Sequence, residues 1–577
     1  MPRSNDAVEA ALLEYAELLS ITSSDPYKPR SYEKAARSIG GYHADVATLD
    51  AKGILGIPNV GKSIGEKVVE FVTTGRVEAL EELREQIPDG VRQMMGVPGL
   101  GPKKAHVLYR DLGIASVEQL LDAIDADRLA DVKGFGPKTA ENIRRSIAQM
   151  SASGGRVLVN LALDAAEELL AELRALKQVL RADYAGSLRR MAETIGDVDL
   201  LVASTDAEPI MDRFTALPHV GRILAKGPTK SSIVTTEGLQ VDLRVIEPAV
   251  WGAAMIYFTG SKAHNVRIRE MAVRKGLKLS EYGLFHAEDG ELIAAETEEV
   301  VYERLGLPYI PPTLREDRGE VEAALEGDLP DVLTQKQIKG DLHTHTNLTD
   351  GLASLEEMLD SAAGFRYAYC AVTDHAPNLY MQRMTDEKML VQRRQLRELQ
   401  ARYPKMTLLH GTELNIDPDG NVDWPGEFLA SFDVCVASVH SHFKQSKDEM
   451  TRRIVRAMEN PGVHVIGHPT ARLIGKRQPI EYDLDEVFAA AARTGTALEV
   501  NGFPDRLDLR DEHILWAKRH GVKFAVDTDS HAVGHLSHMR FGVATAQRGW
   551  LTKDDVVNTW PLAKLRRFLR KDALRGR

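Results

Sequence analysis

Cysteine is nearly absent: the 577 residues hold two, Cys370 and Cys435, each inside an apolar run. Two cysteines cannot staple a chain of this length, and a reducing, cytoplasmic setting fits them. Long hydrophobic runs are missing as well. No stretch reaches the roughly 18–20 uninterrupted apolar residues that a membrane helix needs. The segment Met1–Tyr15 carries acids within its apolar run, which does not read as a signal peptide. A membrane partner is therefore not expected. An excess of positive charge is also lacking: 73 basic against 84 acidic residues leave −11. Taken alone, that balance argues against nucleic-acid binding, which usually leaves a basic footprint.

What is present is sorted along the chain. The length suggests three to five folding units at roughly 100–200 residues per domain. Thirteen of the 18 histidines lie after Gln335, a concentration that points to a metal site in the C-terminal part.

The first 150 residues read as short amphipathic helices broken by a repeated glycine turn. The copies are Gly56-Ile-Pro-Asn-Val-Gly61, Gly96-Val-Pro-Gly99-Leu-Gly101 and Val132-Lys-Gly134-Phe-Gly136. Helix-like segments follow at Ser63–Val72, Lys103–Leu112 and Lys138–Ile147. The first copy, continued by Lys62-Ser63, matches the P-loop pattern, but no hydrophobic strand precedes it and the other copies lack Lys-Ser. The helix-hairpin-helix is the better reading. Its turn presents backbone N–H groups and a helix N-terminus to a DNA phosphate, needing no side-chain charge. Gly56, Gly61, Gly99, Gly101, Gly134 and Gly136 are the candidate DNA contacts.

A helical run over Asp164–Arg181 leads into strand-like Val198–Val202 and Leu239–Val245. In a strand, Asp197 and Asp199 share one face while Val198 and Leu200 face a core. Carboxylates this close need a cation between them. With Asp242 as a third, they would hold two Mg²⁺ or Mn²⁺ ions for in-line displacement at phosphorus. Gly186-Ser187 offers N–H and hydroxyl donors to a triphosphate, with Arg190 as counter-charge.

These motifs, with Tyr257-Phe258-Thr-Gly260-Ser, Asn265, Arg269 and Glu281-Tyr282, resemble DNA polymerase family X over residues 1–315. The resemblance implies that Asp197, Asp199 and Asp242 bind two metals and that Asp242 activates the primer 3′-hydroxyl. It assigns the nucleotide phosphates to Gly186, Ser187, Arg190 and Gly196, and sugar and base to Tyr257, Phe258, Gly260 and Asn265. Lys230 and Arg244 would serve the template-primer side and position carboxylates. Lys262 stands where animal members carry an acid near the incoming base. Lys67 matches the lysine that forms a Schiff base with an abasic sugar in the animal repair enzyme. Lys28 and Tyr32 match pocket positions, but Ser63 and Tyr27 replace a second lysine and a histidine. Contact with a phosphate is the other reading of Lys67.

After Lys336, strands alternate with helices, which implies a parallel α/β sheet or barrel with its chemistry at the strand ends. Seven apolar strands end at His343, Asp374, Glu413, His440, His468, Asn501 and Asp529. Nine N/O ligands on successive strands, without cysteine, suggest clustered Zn²⁺, Mn²⁺ or Fe²⁺. The pattern is similar to the polymerase and histidinol phosphatase (PHP) family, a distorted (β/α)₇ barrel. That resemblance gives one metal to His343, His345, Glu413 and Asp529. It gives a second to Glu413, His440 and His468, and a third to Asp350, His375 and His531. His442, His464 and Glu499 would support or surround the ligands.

The expected chain is therefore multidomain α+β. A 5′-end-binding helical domain would span 1–85, with a helix-hairpin-helix domain over 86–150. The nucleotidyltransferase palm would span 151–250 and a nucleotide-selecting part 251–315. A linker over 316–335 would precede a PHP phosphoesterase over 336–577. The whole resembles bacterial and archaeal family X polymerases carrying a PHP domain. The resemblance implies a monomer that fills gapped or nicked DNA with dNTPs. It also implies a Mn²⁺-favoured 3′–5′ exonuclease, with abasic-site cutting or 3′-phosphate removal as further activities. Two rivals are an untemplated nucleotidyltransferase fused to a small-molecule phosphatase, and a DNA-end-binding scaffold with idle sites.

Overall fold

The computed structural model describes residues 4–22, 25, 27–40, 42, 44–95, 97, 100–126, 128–129, 132, 135–136, 139–140, 143–144, 147, 155–379, 382 and 384–571. In the N-terminal part, short helices including Ser4–Thr22, Tyr27–Gly40, Lys62–Thr74 and Gly101–Leu112 share one apolar core running from Val8 to Ile147. Glycines mark helix starts there. The Gly61 carbonyl accepts from the Ile64 and Gly65 N–H groups, Gly101 opens Gly101–Leu112, and the Gly136 carbonyl accepts from Thr139 and Ala140. Gly99 and Gly134 lie outside the described residues, as does part of the expected Lys138–Ile147 helix. Helix Ala51–Leu55, not a strand, precedes the Gly56 turn, so the setting a P-loop requires is absent there.

The middle of the chain is built on a five-stranded mixed sheet. Its order is Arg181–Tyr184, Asp197–Ala203, Gln240–Ile246, Lys230–Thr235 and Val220–Lys226. One face is covered by helices Val159–Arg174 and Glu208–Thr215, whose Leu163, Ala166, Leu170 and Phe214 pack on Val198, Leu200, Val241 and Leu243. The first helix begins before Asp164 and stops short of Arg181. Arg181–Tyr184 is an edge strand hydrogen-bonded to Asp197–Ala203 instead.

Helices Trp251–Thr259 and Lys262–Arg274 and a three-stranded antiparallel sheet follow. The segment expected to be a linker is folded onto them. Helix Glu320–Glu326 buries Val321 and Ala324 in that apolar core. Two buried charges find partners in this part: Arg315 donates to Glu298 (2.7 Å) and to the Ile310 carbonyl (2.8 Å), and Glu320 of the expected linker meets His264 Nδ1 at 2.6 Å.

The last part is a seven-stranded parallel sheet in sequential order: Gly340–Asp341, Tyr369–Val372, Thr407–Asn415, Val434–Ser438, Val465–Ile466, Ala497–Asn501 and Phe524–Asp527. A bridge between Thr344 and Ser530, and the Leu342 N–H bonded to Asp527 (2.9 Å), bring the first and last strands together into a nearly closed barrel. Alternation sorts its residues. Tyr369, Ala371, Val434, Val436 and Ala525 fill the interior with Trp560, Leu565 and Leu569 of the C-terminal segment, while Cys370, Val372 and Cys435 pack outward against helices. Both cysteines are buried and free. The barrel also packs on the palm, where Leu507 and Phe541 join the palm core and Arg472 reaches Glu193 at 2.7 Å.

Candidate active sites in the palm and barrel

In the palm, strands Asp197–Ala203 and Gln240–Ile246 run parallel with Asp199 directly opposite Asp242. Period-two alternation puts Asp197 on the same face, with Val198 and Leu200 buried beneath. Burial and the neighbouring Asp197 and Asp242 push the Asp199 carboxyl up to about 6. Burial pushes Asp242 the same way, but Lys230, Ser232 and Gln240 outweigh it and hold this carboxyl below its usual range. Lys230 Nζ lies 2.9 Å from Asp242 Oδ2. The cation expected on the template-primer side is thus engaged with the triad itself. The three carboxylates share one face, but they are not among the tight clusters that could hold a metal in the described residues.

Gly186 opens the short helix Gly186–Arg189 at φ +63°, where a Cβ would come within 2.7 Å of Asp199 Oδ2. Only glycine brings this turn so close to the carboxylate. Ser187 follows it, and its carbonyl accepts the Ala192 N–H at 3.0 Å. Gly196 lies beneath the Arg156 guanidinium. Arg190 donates through Nε to Glu316 (3.0 Å) and through Nη1 to the Thr259 carbonyl (2.6 Å). Gly260 ends the helix Trp251–Thr259 at positive φ against Arg190. Asn265 Nδ2 donates to the Tyr257 carbonyl (2.7 Å), Tyr257 and Phe258 rings meet edge to face, and the Arg244 guanidinium lies 4.6 Å over Phe258. In the N-terminal part, Lys67 Nζ sits 5.6 Å from the Tyr15 ring and 6.0 Å from the Tyr32 ring, while Lys28 and Tyr27 are exposed.

In the barrel, the expected ligands come together at the carboxyl end of the strands, because each lies at or just past the end of an apolar strand. Glu413 is the hub. Its Oε1 lies 3.0 Å from His440 Nε2 and 3.0 Å from His468 Nε2; its Oε2 lies 3.0 Å from His375 Nδ1 and 3.4 Å from His343 Nε2. Asp529 Oδ1 meets His345 Nε2 at 3.3 Å, and Asp350 Oδ2 meets His375 Nε2 at 3.1 Å and His531 Nε2 at 3.4 Å. Three groups are tight enough to share a metal: His345, Asp350, His375 and His531; His343, His345 and Asp529; and His375, Glu413 and His440. His345 and His375 each stand in two of these groups.

The donor set fits divalent metals. Buried nitrogens His343 Nε2, His345 Nδ1 and Nε2, and His375 Nδ1, with Asp350 Oδ1, have no hydrogen-bond partner among the described residues. Such orphaned atoms facing a common centre call for a cation. Burial disfavours a charge on His531, but Asp350 and Asp529 prevail and lift it to about 9; burial and Arg506 depress His468 to about 4.

Glu499 supports the ligands as expected, accepting from His343 Nδ1 (2.7 Å) and from the His468 N–H. Two residues not singled out as ligand supports join it: Asn415 Oδ1 meets His440 Nδ1 (2.7 Å) and Asn501 Nδ2 donates to Asp529 (3.1 Å). Asn415 follows Glu413 by two positions on one strand, a spacing that gives a signal in the sequence. Asp374 is held by Thr346 and Thr349 behind the site. His464 Nδ1 accepts the Cys435 N–H (2.9 Å), and His442 is exposed beside Ser441, so neither joins the cluster.

One pH effect follows from the palm. A divalent cation held by Asp199 would have to displace a proton from it below about pH 6. The palm's affinity for Mg²⁺ as such a cation should be flat above that pH and fall by about tenfold per unit below it. Calorimetric titration of the full chain, with the barrel already loaded with Mn²⁺, checks this.

Fold and site together define a nucleotidyltransferase palm joined to a metal-dependent phosphoesterase barrel. Relatives agree. A helix-hairpin-helix domain description matches residues 3–77, a SAM-like helix-hairpin-helix tandem 91–149, the DNA polymerase beta thumb 254–316 and the PHP domain 341–502. The chain is 33% identical to the DNA polymerase/3′–5′ exonuclease PolX of Bacillus subtilis (strain 168), over 96% of this chain and 98% of that protein. It is 25% identical to rat DNA polymerase lambda over 51% of this chain and 53% of that one. A probable phosphatase of Thermoanaerobacter sp. (strain X514) is 29% identical over 40% of this chain and 94% of its own length. The chain belongs to the PolX family, the family X DNA polymerases that carry a PHP domain. Among the described residues, no helix is long and apolar enough to cross a membrane.

Proposed function

We propose that this chain fills short gaps in DNA by templated nucleotide addition at the palm and trims 3′ ends at the barrel. The observation that carries the reading is the coexistence, on one chain, of the in-register Asp199–Asp242 pair and the histidine–carboxylate cluster around Glu413. Asp197, Asp199 and Asp242 would hold two Mg²⁺ or Mn²⁺ ions; the barrel residues would hold up to three of Zn²⁺, Mn²⁺ or Fe²⁺. Bound there, such ions supply Lewis acidity and charge neutralisation at a phosphoryl group.

The protein's own groups do the rest. Asp242, kept ionised by Lys230, accepts the proton of the primer 3′-hydroxyl. Gly186 and Ser187 present donors to the triphosphate, with Arg190 and Gly196 beside them. Tyr257, Phe258, Gly260 and Asn265 shape the sugar and base pocket, with Arg244 stacked on Phe258. The glycine-marked helix starts at Gly61, Gly101 and Gly136, with Gly56, Gly99 and Gly134 of the same repeated motif, hold the DNA backbone. Lys67, between two tyrosine rings, contacts the 5′ phosphate, and borohydride trapping of an abasic substrate tests it for Schiff-base chemistry. DNA and dNTPs are the partners, the chain acts as a monomer, and two free buried cysteines suit a cytoplasmic setting.

A labelled primer in a gapped duplex, incubated with Mg²⁺ or Mn²⁺, tests the reading. With dNTPs the primer should lengthen to the gap length and no further. Without dNTPs it should shorten from its 3′ end, most strongly in Mn²⁺. Untemplated addition of all four nucleotides at equal rates, or hydrolysis of sugar phosphates in preference to DNA, would overturn it.

A further inference from the structure

A chain of alternating charges runs from the palm into the barrel. Arg190 Nε donates to Glu316 Oε1 at 3.0 Å, and the same oxygen accepts from Arg548 Nη1 at 2.7 Å. Arg548 sits in the last turn of helix Met539–Arg548 and pairs with Asp511 through Nη2 at 2.8 Å; Arg318 completes the row on Asp511 at 3.0 Å. Arg548 Nη1 also donates to the main-chain carbonyl of Arg190 at 2.9 Å. The barrel arginine thus grips the Arg190 backbone and shares the carboxylate that holds its side chain. Arg190, Glu316 and Arg548 side chains are all at most 17% exposed, so bulk water screens these pairs little.

The sharing has a direction. A carboxylate oxygen divided between two guanidinium groups holds each less firmly than one it serves alone. With Arg548 in place, Arg190 can give up Glu316 for a triphosphate oxygen, because Glu316 keeps a second cation and the Arg190 carbonyl stays fixed. Without Arg548, Glu316 turns its whole charge on Arg190 and the turn carrying Gly186 to Arg190 loses its outer support.

We propose that Arg548 is a positioning residue for nucleotide addition: the barrel sets the palm's affinity for the incoming triphosphate by sharing Glu316 with Arg190. The proposal rests on the reading that Arg190 contacts the triphosphate. It makes the barrel part of the polymerase in a way separate from its own hydrolytic cluster, which lies elsewhere on the strand ends.

Steady-state gap filling by the full chain tests it, with 3′–5′ trimming and melting temperature measured on every variant. Arg548→Ala should raise KM for dNTP by about tenfold, the loss of one shared charge-assisted bond, with kcat and trimming near the parent values. Arg548→Lys, which keeps the charge without the fork, should fall between. Adding Glu316→Gln to Arg548→Ala should bring KM back toward the parent value, a reversal that general loosening of the interface cannot produce. Arg190→Ala separates the premises. If it leaves KM unchanged, Arg190 does not meet the triphosphate and the proposal falls with that reading. If it raises KM while Arg548→Ala and Arg548→Lys do not, the triphosphate contact stands and the sharing is refuted. Additive losses in the double variant would refute it as well.

Discussion

Asp242→Ala abolishes nucleotide addition and leaves 3′–5′ trimming intact: that is the expected result, with kcat for gap filling down by roughly 10³-fold or more, the scale of losing an acid–base group together with a metal ligand. The reason lies in the register. Asp242 stands opposite Asp199 on adjacent parallel strands, and Lys230 keeps its carboxylate charged. On the proposed reading, removing it takes away the proton acceptor for the primer hydroxyl and one carboxylate that would hold a metal, and leaves Lys230 without its partner. The strand should hold, because Val241 and Leu243 on the opposite face carry its packing. Primer extension and trimming, measured on one preparation with its melting temperature, check the split.

The second large effect is at Glu413. Glu413→Gln should stop trimming while gap filling continues. The carboxylate divides its two oxygens among five histidines, His440 and His468 at Oε1 and His375, His343 and His345 at Oε2. Charge on His440, His375 and His343 outweighs burial and keeps the group ionised far below its ordinary range. A neutral amide of the same size keeps the shape and loses the charge that binds the cluster together. The fall in trimming should exceed the roughly 10–100-fold that changing an outer partner of a metal ligand costs. Changing the outer partner Asn415, which orients His440, should stay within that range. Metal content by mass spectrometry should fall in parallel with trimming for Glu413→Gln. His343→Ala should behave in the same way.

The palm was legible in the sequence because period-two alternation places Asp197 and Asp199 on one face whatever the rest of the fold does. Register with Asp242 was legible only through motif likeness, since pairing between strands more than forty positions apart leaves no local trace. The barrel strands were readable because each apolar run stops at a polar residue, and their order in the sheet follows the chain. Which ligand atoms stand nearest one another was not readable: His345 and His375 each lie between two groups, and that depends on how strand ends splay around the mouth. Within 316–335, helix Glu320–Glu326 packs on the preceding part through Val321 and Ala324, and Glu320 meets His264, 56 positions away, a pairing with no local signal. The Arg190–Glu316–Arg548 row spans 358 positions between the Arg190 carbonyl and its barrel donor, and nothing local in the sequence announces it.

The initial charge balance also changes meaning. On the proposed reading, a chain at −11 places carboxylates where cations would be held and would meet phosphates with backbone N–H groups at glycine-marked helix starts.

The central claim is that two separate metal-dependent sites act on one DNA end. A single time course tests it: a labelled primer in a gapped duplex, dNTPs and Mn²⁺, with the parent, Asp242→Ala and Glu413→Gln side by side. The account predicts that Asp242→Ala only shortens the primer and Glu413→Gln only lengthens it. Loss of both activities from either variant, at the parent's melting temperature, would contradict it.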